Sequence, residues 1–417
     1  MTCHSAVNNL SFNKTDNFVF FIFVLSLLFS GSNVYALAYP LLKMLVFLGF
    51  MGIFYRFNFS LYNVRSRFVT IHVLILIFIW LLFSIFSSIT QVNEEMLPLT
   101  FRYVSYFSVL VLISLQSSDV SYLFYKWYST LMYYISLFSF ISYILSVFNI
   151  TEMVELVSSD SRVYFTTFFN IVMSDSKISF GNVTFYRFQS IFEEPGTFAF
   201  LLIPIIYWYK LMDYSRIKLF SAILMLFCTL SIGAMFSILF VVAFFCLLRK
   251  PLLFFPFSFV VVLFFVLIWY FSPDVSDFLS YKLGVGKYDG QHSSFGVRIL
   301  EISYVLESLT SSIFGVGFSP SNLYHAFGNS VSVGLFRLVI FSGAVGGVAI
   351  LLVNIILFSY SLVMLLDKNN VSVFVGFTMM SILLMGVQRS TFMDGFLFIS
   401  LFSFLLKFKV VRGELEK

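Results

Sequence analysis

Apolar runs of about 20 residues, the length a helix needs to cross a hydrocarbon core of about 30 Å, recur along almost the whole chain. They predict membrane-crossing helices at roughly 17–37, 38–55, 69–90, 99–115, 127–149, 196–212, 217–232, 233–248, 252–271, 341–365, 371–388 and 390–406. Twelve crossings is an even number, so both termini are expected on one side. Composition supports the same solvent. Apolar residues make up 60% of 417 positions and charged residues 11%, and one soluble core of this size could not hide that much apolar surface. The expected class is an all-α polytopic integral membrane protein with about 12 transmembrane helices, residues 1–417 forming a single membrane domain.

The net charge of +5 is not a nucleic-acid signal, because the basic residues sort by loop and not by domain. On this topology 15 of the 25 Lys and Arg fall in the termini and in alternate connections, and 14 of the 20 acids fall on the other side. The positive-inside rule then places both termini in the cytoplasm. Residues 217–248 test the scheme, since Lys210, Arg216 and Lys218 precede this apolar run and Arg249 and Lys250 follow it. Keeping both clusters on one side requires two short helices with a break near Ser231-Ile232-Gly233. Cys3, Cys228 and Cys246 lie outside the outer loops and imply no disulfide framework. Ala36 and Ala38 imitate a cleavage site. The first apolar run is nevertheless longer than a usual signal core, and Asp16 nearly offsets Lys14, so it reads as an uncleaved crossing.

Two connections are long, 150–195 and 272–340, and both fall on the acidic, outer face. Loops of this length inside a compact protein carry function or are disordered, and the apolar and aromatic residues along both argue against disorder. The first ends in Arg187-Phe188-Gln189-Ser190-Ile191-Phe192-Glu193-Glu194-Pro195-Gly196, directly before a crossing. Proline suits a first helical turn, and acids before it face the positive end of the helix dipole, so Glu193 and Glu194 also read as a plain helix cap. The second loop predicts an amphipathic helix at 295–312, with Ile299, Ile302, Leu306 and Leu309 on an apolar face lying along the membrane surface. Arg298 and Glu301 are expected on the other face, where they could pair with each other. Gly315-Val316-Gly317 and a turn-rich stretch follow, then His325 and Asn329, and Arg337 stands about one turn before re-entry near Phe341.

The chain lacks a Walker loop, a dinucleotide fingerprint, zinc-ligand spacing and a nucleophile elbow. Its histidines are scattered at 4, 72, 292 and 325, and neither metal nor cofactor is expected. It also lacks the run of mid-membrane acids that ion-coupled transporters often carry. The outer inventory is different. Arg162, Arg187, Arg298 and Arg337 could offer forked donors to a phosphate. Glu193, Glu194 and His325 could accept protons. Tyrosines such as Tyr324 present flat faces with a hydroxyl, suited to sugar rings, although a belt of interfacial tyrosine and arginine is ordinary in membrane proteins.

Many crossings with two outer loops, Arg187…Phe192-Glu193-Glu194-Pro195-Gly196 opening a helix, and Arg298…Gly315-Val316-Gly317 ahead of His325…Asn329…Gly343…Gly346-Gly347 resemble the O-antigen polymerases (Wzy), within the superfamily that includes the O-antigen ligases. The resemblance implies a metal-independent glycosyltransferase of the bacterial inner membrane that joins repeat units carried on undecaprenyl pyrophosphate at the periplasmic face. It also implies a separate chain-length regulator as a partner. Carried onto this sequence, it makes Arg187 and Arg298 the diphosphate-holding residues, with Arg162, Arg337, Tyr324 and Asn329 lining the substrate site. Glu194 or His325 would take the acceptor proton; a glutamate needs burial to become an effective base, whereas histidine starts nearer the working pH. His325 is not followed directly by asparagine here. The ligase is the neighbouring reading of the same chemistry. A flippase or secondary transporter for lipid-linked units is the alternative from another class, disfavoured because internal repeats and midplane binding groups are missing.

Overall fold

The computed structural model describes residues 14–30, 49, 52, 68–90, 96–116, 119–148, 150–152, 154–157, 163–167, 170–173, 177–180, 183–192, 194–271, 280, 294–311, 313–318, 324, 326–327, 331, 333–386 and 395–408. Twelve helices lie among these residues: α1 (Lys14–Ser30), α2 (Phe68–Thr90), α3 (Met96–Ser114), α4 (Asp119–Val147), α5 (Pro195–Leu211), α6 (Arg216–Cys228), α7 (Ile232–Arg249), α8 (Pro251–Phe271), α9 (Ser294–Ser311), α10 (Gly334–Leu366), α11 (Asn370–Gly386) and α12 (Phe396–Lys407). Setting aside α9, which matches the expected amphipathic helix, eleven remain, each on an expected apolar run. The run at 38–55 lies outside the described residues except for Gly49 and Gly52, both helical. Five described helices are long and apolar enough to cross a membrane: Phe68–Thr90, Leu97–Ser114, Asp119–Val147, Ile232–Arg249 and Gly334–Leu366. The protein is membrane-embedded and mainly helical.

In lipid a backbone or side-chain polar group is costly without an internal partner, and four buried serines show one way this chain supplies it. Ser88, Ser114, Ser136 and Ser403 donate to the carbonyls of Ser84, Leu110, Met132 and Ile399, each one turn back, at 2.6–2.7 Å. Tyrosines tie helix to helix through hydroxyls aimed at backbone: Tyr125 reaches Leu401 O at 2.6 Å and Tyr128 reaches Leu201 O at 2.7 Å. Phenylalanine fills the space between them, as where Phe124 stacks on Phe404 with ring centres 4.1 Å apart. Lys407, buried at the end of α12, donates to Ser114 O at 2.7 Å, a cation at the negative end of α3.

The first long loop departs from the all-helical expectation. It carries a three-stranded antiparallel sheet, β1 (Val154–Val157), β2 (Val163–Thr167) and β3 (Asn170–Met173), and a hairpin of β4 (Lys177–Phe180) with β5 (Val183–Tyr186). Tyr164 faces both Leu156 and Met173 in register. The physical reason lies in composition. Valine, isoleucine, threonine and aromatics are enriched here, and the four-residue runs 177–180 and 183–186 pair with Phe180 opposite Val183.

The 217–248 run breaks at Thr229-Leu230-Ser231, two residues before the expected place, with Leu230 at φ 47°. The chain then turns back on itself. Tyr214, before α6, meets Asn370 at the start of α11, and Arg249, the last residue of α7, meets the carbonyl of Asp367 where α10 ends. Lys210, Arg216, Lys218, Arg249, Lys250 and Lys368 therefore assemble at one end of the bundle. Thr229–Ser231, the start of α5 at Pro195 and the start of α10 at Gly334 lie at the other, here termed the loop end. At 13 residues α6 reaches about 20 Å, short of a hydrocarbon core of about 30 Å.

Candidate functional site

Two breaks in the helical framework hold polar groups at the loop end. The first is the turn between α6 and α7. A helix C-terminus leaves carbonyls without partners and carries partial negative charge. Arg187 Nε donates to Thr229 O at 2.9 Å and its Nη2 to Leu230 O at 3.1 Å, while Phe188 N donates to Cys228 O at 3.0 Å. Arg187 thus clamps the α6–α7 turn with two of its five donors. Phe188 anchors the clamp from below, buried against Phe140, Tyr143 and Phe198 at 5.3, 5.2 and 5.0 Å between ring centres.

The rest of this segment is stitched as tightly. Ser190, at φ 55°, accepts Ile171 N on its carbonyl at 2.8 Å, and its hydroxyl donates to Ser139 Oγ at 2.8 Å. Tyr143 donates to Tyr186 O at 2.8 Å. The sheet, through β3, is docked on α4 by these bonds. Asn170 and Thr167, opposite each other in register, are buried, and neither the Asn170 amide nor the Thr167 hydroxyl has a protein partner. Glu194 is the N-cap of α5 and Pro195 its first residue, as the cap reading expects, but the Glu194 side chain makes no capping bond. The partly buried Glu194 carboxylate is therefore not consumed by the cap.

The second break is inside α10, where Gly343 (φ 66°, ψ −155°) divides a nine-residue segment, 334–342, from a 23-residue one, 344–366. The broken end exposes carbonyls, and three groups fill them. Trp80 Nε1 donates to Leu338 O at 2.8 Å, Val316 N to Ile340 O at 3.1 Å and Gly317 N to Phe341 O at 3.1 Å. Phe318 N completes the lock on Ser88 Oγ at 2.7 Å. The Gly315-Val316-Gly317 stretch and Gly343, far apart in sequence, are thus in backbone contact. A Cβ on Gly315 would lie 2.1 Å from Ile340 O, and Gly317 sits at φ 71° with Ser88 Cα 2.7 Å from where its Cβ would be. Only glycine permits this approach.

The lock sets α9 beside the start of α10. Ile299, Ile302 and Leu306 are exposed, Ser303, Glu307 and Thr310 make an exposed polar face, and Glu301, Val305 and Ser308 are buried. The apolar face is free for lipid, as an interfacial helix requires. Glu301 corrects the sequence expectation, because it does not share a solvent face with Arg298. It is 1% exposed and accepts Val333 N on Oε2 at 3.0 Å. Arg337 Nη2 donates at 3.0 Å to the carbonyl of Val331, which is two residues before Val333. Arg298, partly buried, is one turn before Glu301 on α9. Arg298, Glu301 and Arg337 therefore belong to one junction, whereas Arg187 is held at the α6–α7 turn. Tyr324 is 59% exposed, and Tyr304 stacks on Phe327 at 4.6 Å.

Arg162, Glu193, His325 and Asn329 lie outside the described residues. Among the described residues no group of three His, Cys, Asp or Glu could hold a metal ion. Sequence reasoning missed Asn170, Thr167 and the inward turn of Glu301. The signal for Glu301 was its place, i+4 to Val305 and i+7 to Ser308, on a second stripe beside the isoleucine stripe. No protein-family model, curated protein or solved structure matches the chain.

Proposed function

We propose that this protein is a lipid-linked oligosaccharide polymerase of the O-antigen type, a metal-independent glycosyltransferase working at the periplasmic face of the bacterial inner membrane. In this reading twelve helices cross the bilayer, both termini are cytoplasmic, and the loop end faces the periplasm. One observation carries the proposal. The described parts of both long connections meet the end of the bundle opposite the basic clusters, which supports a reading in which Arg187, Arg298, Arg337 and Glu194 share one membrane surface.

The reaction needs few protein groups. A hydroxyl oxygen of the acceptor unit attacks the anomeric carbon of the donor glycan and forms the new glycosidic bond. The bond from that carbon to the diphosphate oxygen breaks, and undecaprenyl pyrophosphate leaves with the electron pair. The acceptor proton passes to Glu194 or His325. Arginine forks beside the diphosphate stabilise the charge that grows on it. A chain-length regulator is the protein partner this reading expects. Purified protein in nanodiscs, given a synthetic undecaprenyl-pyrophosphate-linked repeat unit and no other enzyme, should produce a ladder of longer glycans. A folded preparation that leaves the repeat unit unextended refutes the reading.

A specific observation favours a second reading, a flippase for the same lipid. Transporters use discontinuous helices whose broken ends bind cargo, and α10 is broken at Gly343. The carbonyls at that break are, however, already occupied by Trp80, Val316 and Gly317. That occupancy makes the break a structural joint and keeps the polymerase reading first.

A further inference from the structure

We infer that Glu301 is a positioning residue that sets Arg298 and Arg337 as a pair for an anionic diphosphate. The inference deepens the proposed function and rests on it. Helix α10 begins at Gly334, and its N-cap, Val333, has no side chain able to cap it. In a capping box a glutamate from the same helix reaches back to the N-cap amide. Here the carboxylate comes from another helix: Glu301 of α9 accepts Val333 N at 3.0 Å. The positive end of α10 favours a negative group at that place.

A buried carboxylate is costly unless its environment compensates it, so a cap alone does not explain the residue type, since serine or asparagine caps more cheaply. The surroundings supply the reason. Arg298 stands one turn before Glu301 on the same helix, and the Arg337 guanidinium is folded onto Val331 O, at the residue but one from Val333. One carboxylate therefore sits between the turns that bear two guanidiniums. It fixes the backbone from which Arg337 springs, since Arg337 N in turn donates to Val333 O at 3.0 Å, and it puts a negative charge between the two arginine-bearing turns. An arriving diphosphate then meets an Arg337 whose backbone is already fixed, which lowers the ordering cost of binding.

The test uses the full chain in nanodiscs, with farnesyl diphosphate as the probe, titrated calorimetrically against wild type, Glu301→Gln and Arg337→Ala, and a thermal melt for each. Glutamine keeps an oxygen for Val333 N and removes only the charge. The expected result is a Glu301→Gln protein that still folds yet binds farnesyl diphosphate about fivefold more weakly, because the turn that carries Arg337 is held less firmly, with Arg337→Ala weaker still. Wild-type affinity in Glu301→Gln overturns the inference and leaves the proposed function standing. A Glu301→Gln protein that no longer folds assigns Glu301 to stability alone, and also overturns it. A folded wild type that does not bind the probe overturns the diphosphate reading of the loop end itself, and this inference falls with it.

Discussion

Replacing Gly315 by alanine is the sharpest probe of how the loop end is built. The added methyl would lie 2.1 Å from Ile340 O, 2.5 Å from Gly343 N and 2.5 Å from Phe341 C. All three are backbone atoms, so no side chain can rotate away to make room. The loop has to lift off the broken helix, and it takes with it the bonds from Val316 N to Ile340 O and from Gly317 N to Phe341 O. Two buried carbonyls left unpaired cost about 1–3 kcal/mol each, so the expected loss is about 2–6 kcal/mol. Gly347→Ala should be milder, because its neighbours at 2.8 and 2.9 Å are the side-chain ends of Val339 and Leu309. Gly395→Ala is the control, with Phe398 Cδ2 at an ordinary 3.6 Å. Titrating the three proteins with SDS in mixed micelles gives the order directly. A Gly315→Ala protein within about 0.5 kcal/mol of wild type, the range of an ordinary surface change, would refute the backbone lock.

Three further outcomes follow from the geometry. Arg187→Ala should destabilise the protein by about 2–6 kcal/mol in the same titration, since it frees the carbonyls of Thr229 and Leu230; Arg187→Lys should recover only part, because an ammonium cannot reproduce the fork. Glu194→Gln should cut glycan extension about 10²–10⁴-fold if it is the base; His325→Ala, measured alongside, shows which of the two carries the proton. Single cysteines at Glu155, Glu307 and Lys368 should react with a membrane-impermeant maleimide so that the first two are labelled from one side of the membrane and the third from the other; labelling of 155 and 307 from opposite sides defeats the proposed site.

The membrane class was readable from the chain alone, because a span is a local property: about 20 apolar residues satisfy their backbone within one helix wherever the helix sits. The amphipathic helix at Ser294–Ser311 was readable for the same reason, its stripe being set by spacing. The hairpin in the first loop was also written locally, in the β-branched and aromatic residues of 177–180 and 183–186, and the apolar character of the loop masked it. Charge patterning even anticipated the reversal between α6 and α7, since two basic clusters must stay together.

Tertiary structure decided what each polar residue is committed to. Arg187 looked like a phosphate fork, and folding spends two of its donors on a helix end 42 residues away. Glu301 looked like a surface partner for Arg298, and packing against α10 turned it inward to cap a helix it does not belong to. Gly315 and Gly343 carried no mutual signal until the backbone brought them to within the space of a methyl group. Periodicity reports which face of a helix is apolar. The partner that a side chain meets across the bundle depends on how helices cross and where they break, and that is a property of the whole packed chain.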